Sequence, residues 1–478
     1  MKTYETVIGL EVHLQLDTRT KIFCGCVTHF GKDANSQTCP VCLGLPGSLP
    51  VLNQKVLEYG MKIGLALNCA INTFVKFDRK NYYYPDLPKA YQISQYDFPI
   101  AKKGSLTITT GEQTKKIGIT RAHMEEDAGK LIHSPEIKCS LVDYNRTGIP
   151  LVEIVSEPDM RSSQEAYDYL TSLKLLMEYL DVSDCDMEKG SLRCDANVSI
   201  REAGNQEFGT KTELKNLNSF KAVKAAIDYE VARQIKMVEA GERIVQETRL
   251  WNDEKQMTFS MRSKEEAHDY RYFPEPDLVP FTITENDIEK VRKTLPEFPL
   301  EKLDRFIRQY QLSDYDANVL VQDKQLAKFF EDCVMQWNAP KKICNWITSV
   351  LKQELNKRKI NISEMRLTSG YFVGLIKNVE EGVVSNLVGK EILTIMLDTG
   401  RTCMSIIEEK GLRQVSDDNA LGAIIDTVLV ENASIVEQIK GGKESAIGFL
   451  VGQAMKKTQG KANPKKIGEL IKGRFQNG

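Results

Sequence analysis

Residues 116–130 read Lys-Ile-Gly-Ile-Thr-Arg-Ala-His-Met-Glu-Glu-Asp-Ala-Gly-Lys. As a strand from Ile117 onward, the stretch sends Arg121, His123 and Glu125 to one face, because successive side chains of a strand point to opposite sides. A guanidinium, an imidazole and a carboxylate then stand side by side. Glu125, Glu126 and Asp127 are consecutive acids, and clustered carboxylates repel one another unless solvent or a cation separates them. Mg²⁺ is the obvious cation for such a cluster.

Three more segments alternate in the same way. Residues 7–16 place Leu10, Val12, Leu14 and Leu16 on one side and Glu11, His13 and Gln15 on the other. Residues 192–200 turn Leu192, Cys194, Ala196, Val198 and Ile200 inward and Arg193, Asp195, Asn197 and Ser199 outward. Residues 210–216 put Lys211, Glu213 and Lys215 on one face of a short strand. For any one of these, an ordinary solvated face is the alternative. Such faces, however, more commonly carry interchangeable Lys, Glu and Thr, whereas Glu11, His13, Glu125, Asp195 and Glu213 together resemble hard-cation ligands with bases placed to hold phosphate. The pattern requires the four segments to be neighbours in space.

Cys24-x-Cys26 and, after twelve intervening residues, Cys39-Pro40-Val41-Cys42-Leu43-Gly44 form two close cysteine pairs. Such pairs suit tetrahedral thiolate coordination of a structural Zn²⁺, each tight turn presenting two sulfurs. Gly25, Pro40 and Gly44 supply turn chemistry. Buried cysteines acting as small hydrophobes are the alternative. The chain has eleven cysteines, but it is large and has no secretory h-region, so reduced thiols are expected. No apolar run is long enough to span a bilayer, and the expected location is the cytoplasm, with no membrane partner.

At 478 residues the chain exceeds the size at which single cores stop growing, so two or three domains are expected. Its 64 basic and 66 acidic side chains give a net charge of −2, which confines any nucleic-acid surface to a local patch. Residues 76–95 contain two prolines and read as a loop dense in bases and aromatics, able to contact phosphates and stack on bases, with Lys89 at its centre. A tyrosine-rich packing loop is the equal alternative. Residues 143–150 read as a turn feeding an apolar strand at 151–155. Ser162 or Ser163 caps a helix to about Leu180, and another helix starts near Asn218 or Ser219. Residues 268–277 form a second aromatic loop, whose prolines argue against a central strand. No GxxxxGK[ST] or GxGxxG motif is present, so any ATP must be held by a different type of fold.

After residues 295–299 strand-like alternation gives way to helical spacing, as in the stripe Ile343, Trp346, Ile347, Val350 and Leu351. A further break near residues 398–401 precedes a small tail of short helices. From Lys440 onward nine bases face two acids, a patch suited to an RNA backbone, and Lys456, Lys457, Lys461, Lys465 and Lys466 lie within it. The fold class expected is α+β, with a strand-rich domain at 1–295, a helical domain at 296–400 and a tail domain at 401–478.

Several long stretches in order resemble one family: Val-Ile-Gly-Leu-Glu-Val-His at 7–13, Arg-Ala-His-Met-Glu-Glu-Asp-Ala-Gly-Lys at 121–130, and Glu-Lys-Gly-Ser-Leu-Arg-Cys-Asp-Ala-Asn at 188–197. Lys-Asn-Leu-Asn-Ser-Phe at 215–220 and Asp-Tyr-Arg-Tyr-Phe-Pro-Glu-Pro-Asp at 269–277 continue the series. The chain is similar in these stretches, and in the glycine-rich tail, to the B subunits of aspartyl/glutamyl-tRNA amidotransferases (GatCAB).

That resemblance implies a cradle-like catalytic domain, a helical domain and a tRNA-binding tail, in complex with a glutaminase A subunit and a small C subunit. It implies ATP-dependent phosphorylation of the side-chain carboxylate of misacylated Glu-tRNA(Gln) or Asp-tRNA(Asn), followed by displacement of phosphate by ammonia. By motif, the metal ligands would be Glu11, His13, Glu125 and Glu126, with Asp195, Asn197, Lys211 and Glu213 near metal or phosphate. Arg121 and His123 would touch phosphate or support the ligands. Zinc at the four cysteines occurs in some members of the family. The chain carries no glutaminase signature, so ammonia should come from a partner. The rival expectations are a metal-dependent RNA or phosphoester hydrolase using the same carboxylates on water, and a non-catalytic tRNA-binding scaffold.

Overall fold

The computed structural model describes residues 2–134, 139–261, 270–413, 418–440, 446–458, 462 and 464–476. The chain divides into two compact units, Met1–Phe298 and Pro299–Gly478.

The first unit is built on a nine-stranded sheet. Its four central strands lie in the order Leu192–Glu202, Tyr4–Gln15, Pro150–Ser156 and Gln113–Glu126, all antiparallel to their neighbours. Thr212–Lys215, Thr248–Asn252 and Met257–Ser260 extend one side, and Ala101–Thr110 and Ala70–Ile71 the other. Among the described residues, only Thr212–Lys215 and Thr248–Asn252 run parallel. The segments that alternate in the sequence are therefore adjacent in space.

Alternation gives this sheet two different faces. Leu10, Val12, Leu14, Ala122, Met124, Val152, Ile154, Cys194, Ala196, Val198 and Leu214 are all buried on one of them. Burying each large apolar side chain contributes about 1.5–3 kcal/mol. A register slip of one residue would turn this whole set to the opposite side. The apolar face is covered by helix Ser163–Tyr179, against strand Ala101–Thr110, and helix Phe220–Glu239, against strand Leu192–Glu202. Both helices start where the sequence predicts: the Ser162 and Ser219 side chains accept hydrogen bonds from the backbone N–H groups of Glu165 and Ala222. Helix Gln54–Ala66 approaches the sheet through Gly64, where a Cβ would lie 2.6 Å from the Ala101 Cβ.

The loop expected at 76–95 is only partly a loop. Asp78–Asn81 and Tyr91–Ser94 are short strands that pair with each other, and Arg271–Pro274 adds an edge strand beside Asp78–Asn81. Pro85 and Pro88 fall in the connection between the two strands, where no ladder hydrogen bond is lost. Pro274 ends an edge strand, as a proline can.

Among its described residues the second unit contains helices and no strands. The stripe at 343–351 is buried as its spacing requires, but Ile347–Leu351 is a π-helical turn between helices Pro340–Trp346 and Lys352–Arg358. Toward the end of the chain, Leu421, Ile425, Leu450, Ile467 and Ile471 belong to an apolar cluster of their own.

Candidate active site

The polar face of the central sheet carries the candidate chemistry. Strand pairing sets His123 opposite Glu153, Glu153 opposite His13, and His13 opposite Arg193. One transverse row therefore crosses four strands. Neighbouring rows supply Glu125 opposite Leu151, Glu11 opposite Asp195, and Asn197 opposite Glu213.

Two imidazoles and two carboxylates meet in this patch. The His13 Nε2 lies 3.5 Å from the Glu153 Oε2 and 3.8 Å from the Glu125 Oε1. The His123 Nε2 lies 3.3 Å from the same Glu153 oxygen and 3.6 Å from the Glu125 Oε2. Burial by itself would lower the pKa of both histidines, but Glu153 and Glu125 outweigh it, raising His13 and pushing His123 up to about 9. Burial likewise works to raise the carboxyl groups of Glu125 and Glu153, and the two imidazoles hold both below the usual carboxylate range. The His123 Nδ1 is buried with no hydrogen-bond partner.

Donor atoms of His13, Glu125 and Glu153 all lie within 4.8 Å of one another. Two carboxylates and one imidazole in such proximity fit a hard divalent cation, which would relieve the crowding of negative charge. Ser94 supports the site from the small sheet, its hydroxyl donating to the Glu125 Oε2 at 3.3 Å. Half-buried Tyr272 has its phenol pushed up to about 12 by burial and by the nearby charges of Glu125 and Glu153.

A second group adjoins the first. The Asn197 amide donates to the Glu11 Oε1 at 2.9 Å, and Lys215 reaches Asp195 at 2.9 Å and Glu213 at 3.2 Å. The Thr248 hydroxyl donates to Glu213 at 2.7 Å. Burial raises the Glu11 carboxyl, and Glu153 adds to the effect.

Two arginines flank the histidine–carboxylate patch. Arg193 donates through Nη2 to the Asp127 Oδ1 at 2.9 Å, and the other Asp127 oxygen accepts from Gln15 at 2.9 Å and lies 3.4 Å from the Arg146 Nε. The Nε atoms of Arg193 and Arg121 are buried without partners. No ion pair of the Arg121 side chain is found among the described residues.

The structure thus gathers Glu11, His13, Arg121, His123, Glu125, Asp195, Asn197 and Glu213 on one face. It does not bring Glu126 there. As the next residue of its strand, Glu126 points the other way, where its Oε1 accepts from Lys89 at 2.5 Å and from the Ile93 N–H at 2.8 Å. Lys89 is accordingly engaged behind the strand. Both line a cavity of about 210 Å³ with Lys21, Cys42, Tyr91 and Gly148. Lys211 is exposed just ahead of its four-residue strand, and Lys215 is the lysine of that strand that bonds Asp195. Sequence reasoning missed Glu153, Arg193 and Lys215 as site residues. For Glu153 the available signal was a lone acid in the otherwise apolar run Leu-Val-Glu-Ile-Val.

Away from this face, Cys24, Cys26, Cys39 and Cys42 have their sulfurs within 4.8 Å of one another, and none of the eleven cysteines forms a disulfide. A hydrogen bond from Cys24, opposed by burial and aided by Lys21, lowers the Cys42 thiol to about 5. Four sulfurs so placed fit a tetrahedral metal site. In the tail, Lys456 and Lys457 end helix Ile447–Lys457, with Lys457 paired to Glu431 at 2.6 Å, and Lys466 lies on helix Pro464–Gln476. Lys461 and the side chain of Lys465 lie outside the described residues, as does the start of the 268–277 stretch. No described helix is long and apolar enough to cross a membrane.

A nine-stranded sheet with an apolar, helix-covered side and a histidine–carboxylate side defines the class. Residues 6–289 match the family described as the GatB/GatE catalytic domain, and residues 328–475 match the GatB domain. The chain belongs to the GatB family. It is 55% identical over 469 residues to the B subunit of the aspartyl/glutamyl-tRNA(Asn/Gln) amidotransferase of Thermoanaerobacter sp. (strain X514), covering 98% of each chain. It is 56% identical, again over 98% of each chain, to the protein of that name from Caldanaerobacter subterraneus subsp. tengcongensis. The one from Carboxydothermus hydrogenoformans is 53% identical over 99% of each.

Proposed function

We propose that this chain is the B subunit of a tRNA-dependent amidotransferase acting in the cytoplasm. It uses ATP to phosphorylate the side-chain carboxylate of Glu-tRNA(Gln) or Asp-tRNA(Asn), and ammonia from a partner glutaminase then displaces phosphate to give Gln-tRNA or Asn-tRNA. The partners are the A subunit and the small C subunit. The observation that carries this function is the convergence of His13, His123, Glu125 and Glu153, flanked by Arg121 and Arg193, on one face of a sheet. Its division of labour follows the domains: residues 1–295 do the chemistry, 296–400 form a helical domain, and 401–478 hold tRNA through bases such as Lys456, Lys457 and Lys466.

A free carboxylate is a poor electrophile, because its leaving group would be an oxide. Transfer of a phosphoryl group to one carboxylate oxygen supplies a good leaving group, and the main demand on the protein is to offset charge and align the reactants. Arg121 and Arg193 provide guanidinium charge for phosphate oxygens, with buried Nε–H groups left to donate. His13, Glu125 and Glu153 would hold Mg²⁺, which offsets phosphate charge when bound. His123 holds Glu125 and Glu153 in place from the other side. Lys215, fixed by Asp195 and Glu213, keeps the adjoining polar group closed. The four cysteines would hold a structural Zn²⁺.

The test is reconstitution with A and C subunits of a relative, labelled ATP and each misacylated tRNA, followed by analysis of the aminoacyl product. Amidated product that depends on this chain is expected. Phosphate release with no amidated aminoacyl-tRNA would overturn the assignment.

A further inference from the structure

Lys21 has no solvent exposure, and its ammonium makes no ion pair with a carboxylate among the described residues, Glu126 in the same cavity being engaged by Lys89. It donates to the Gln37 carbonyl at 2.8 Å, to the Tyr144 carbonyl at 3.4 Å and to the Cys42 Sγ at 3.7 Å. Those three acceptors match the three N–H bonds of a lysine ammonium. A buried charge is costly unless an opposite charge accompanies it, and the two carbonyls are only dipoles. The sulfur of Cys42 is the one acceptor of the three that can carry a full negative charge.

The four-cysteine centre has the complementary problem. Four thiolates around one divalent ion carry two net negative charges, at a site where Cys42 is buried and its three companions are partly buried. Other donors already reach the same sulfur: the Cys39 backbone N–H lies 3.2 Å from the Cys42 Sγ. Lys21 adds the only positive charge in contact with it among the described residues.

We propose that Lys21 is the charge-balancing partner of the four-cysteine centre, so that binding of the metal and burial of this lysine stabilise each other. The proposal rests on the assignment of the cluster as a metal site. The ammonium also ties the centre to the turn behind the active face. Tyr144 belongs to residues 143–149, where the Gly148 N–H donates to the Asp127 carbonyl at 2.9 Å and Arg146 approaches the Asp127 carboxylate. Asn145 fixes the same turn to the knuckle, its side-chain oxygen accepting from the Gln37 N–H at 2.8 Å. Lys21 is thus a positioning residue: it touches a metal ligand and the support of Asp127, and no reacting atom.

The experiment uses the full reduced chain, stripped of metal and reloaded. Zinc affinity is measured by competition with a chromogenic chelator, and the ligand set by the absorption of the Co²⁺-substituted protein. K21M keeps the length of the side chain and removes the charge. It should bind zinc about 10–100-fold more weakly, the usual effect of losing a partner that supports a metal ligand, while the Co²⁺ spectrum still shows four thiolates. A second comparison covers poor folding of K21M: with all four cysteines replaced by serine, no thiolate touches the lysine, and K21M should raise the melting temperature of that background. Wild-type zinc affinity in K21M, or a lowered melting temperature in the serine background, overturns the role of Lys21. A wild-type chain that takes up no zinc overturns instead the metal assignment on which it rests.

Discussion

Glu125 and Glu126 are consecutive residues that serve opposite sides of one strand, the first meeting His13 and His123 and the second meeting Lys89. Their amide variants should therefore fail differently. Glu125→Gln removes a charge from the histidine–carboxylate patch and should lower tRNA-dependent ATP cleavage by at least about 100-fold, in line with loss of an electrostatic group at a reaction centre. Glu126→Gln leaves a buried lysine unpaired and should cost about 3 kcal/mol of stability, with ATP cleavage retained within a few-fold in the folded protein. Equal losses of ATP cleavage in the two variants would show that the two sides are not separate.

Arg121 separates binding from folding. Because its side chain makes no ion pair among the described residues and keeps a buried Nε without a partner, Arg121→Gln should leave stability unchanged or raise it by up to about 1 kcal/mol. Activity should fall at least about 30-fold, the order expected when a charge-assisted bond to phosphate is removed. Chemical denaturation and steady-state assays on the same preparation check both halves, and a large stability loss with normal turnover would assign Arg121 to the scaffold.

The patch also sets a pH dependence in the metal-free protein. The pKa of His123 rises from 6.5 to about 9 on folding, so its contribution is full below about pH 6.5 and is lost as pH climbs through about 9. Its size is about 3–4 kcal/mol. Glu125 and Glu153 are depressed, so their contributions are present above the ordinary carboxylate range and fade as acid protonates them. Melting temperature in the presence of a chelator should peak at weakly acidic pH and decline toward pH 9. Magnesium should bind more tightly as pH rises, since His13, whose pKa is raised by Glu153 and Glu125, must give up its proton to ligate. A melting temperature that stays flat from pH 6.5 to 9 would remove the imidazolium–carboxylate contacts from the account.

Behind the sheet, Glu230 is fully buried and accepts from Thr212 at 2.8 Å, from Gln234 at 3.0 Å and from Arg233, with Arg249 at 3.4 Å. Glu230→Ala leaves Glu247 as the remaining carboxylate for Arg233 and Arg249 but takes the acceptor away from buried Thr212 and Gln234, and should destabilise the first unit by about 2–3 kcal/mol. Thermal unfolding measures it directly. A loss below about 1 kcal/mol would mean that solvent already screens the network.

Much of this architecture is legible in the sequence because period-two alternation marks both faces of each central strand at once. Leu10, Val12 and Leu14 against Glu11, His13 and Gln15 is the clearest case, and the caps Ser162 and Ser219 locate the covering helices. What alternation alone could not supply was the order of the strands, and with it the partner of each residue. Glu153 was hidden because its strand reads as apolar and its neighbours on the polar face are Leu151 and Val155. Glu126 was grouped with Glu125 by composition, although strand parity already placed them apart. The two strands within 76–95 were obscured by prolines that lie in the connection between them.

The row His123, Glu153, His13 and Arg193 draws one residue from each of four strands, and its outermost members in sequence, His13 and Arg193, lie 180 positions apart in the chain. A nascent polypeptide still short of residue 193 lacks one end of that row, however well its earlier parts have folded. The row is therefore completed late, since only a chain that has passed Arg193 can set all four side chains together.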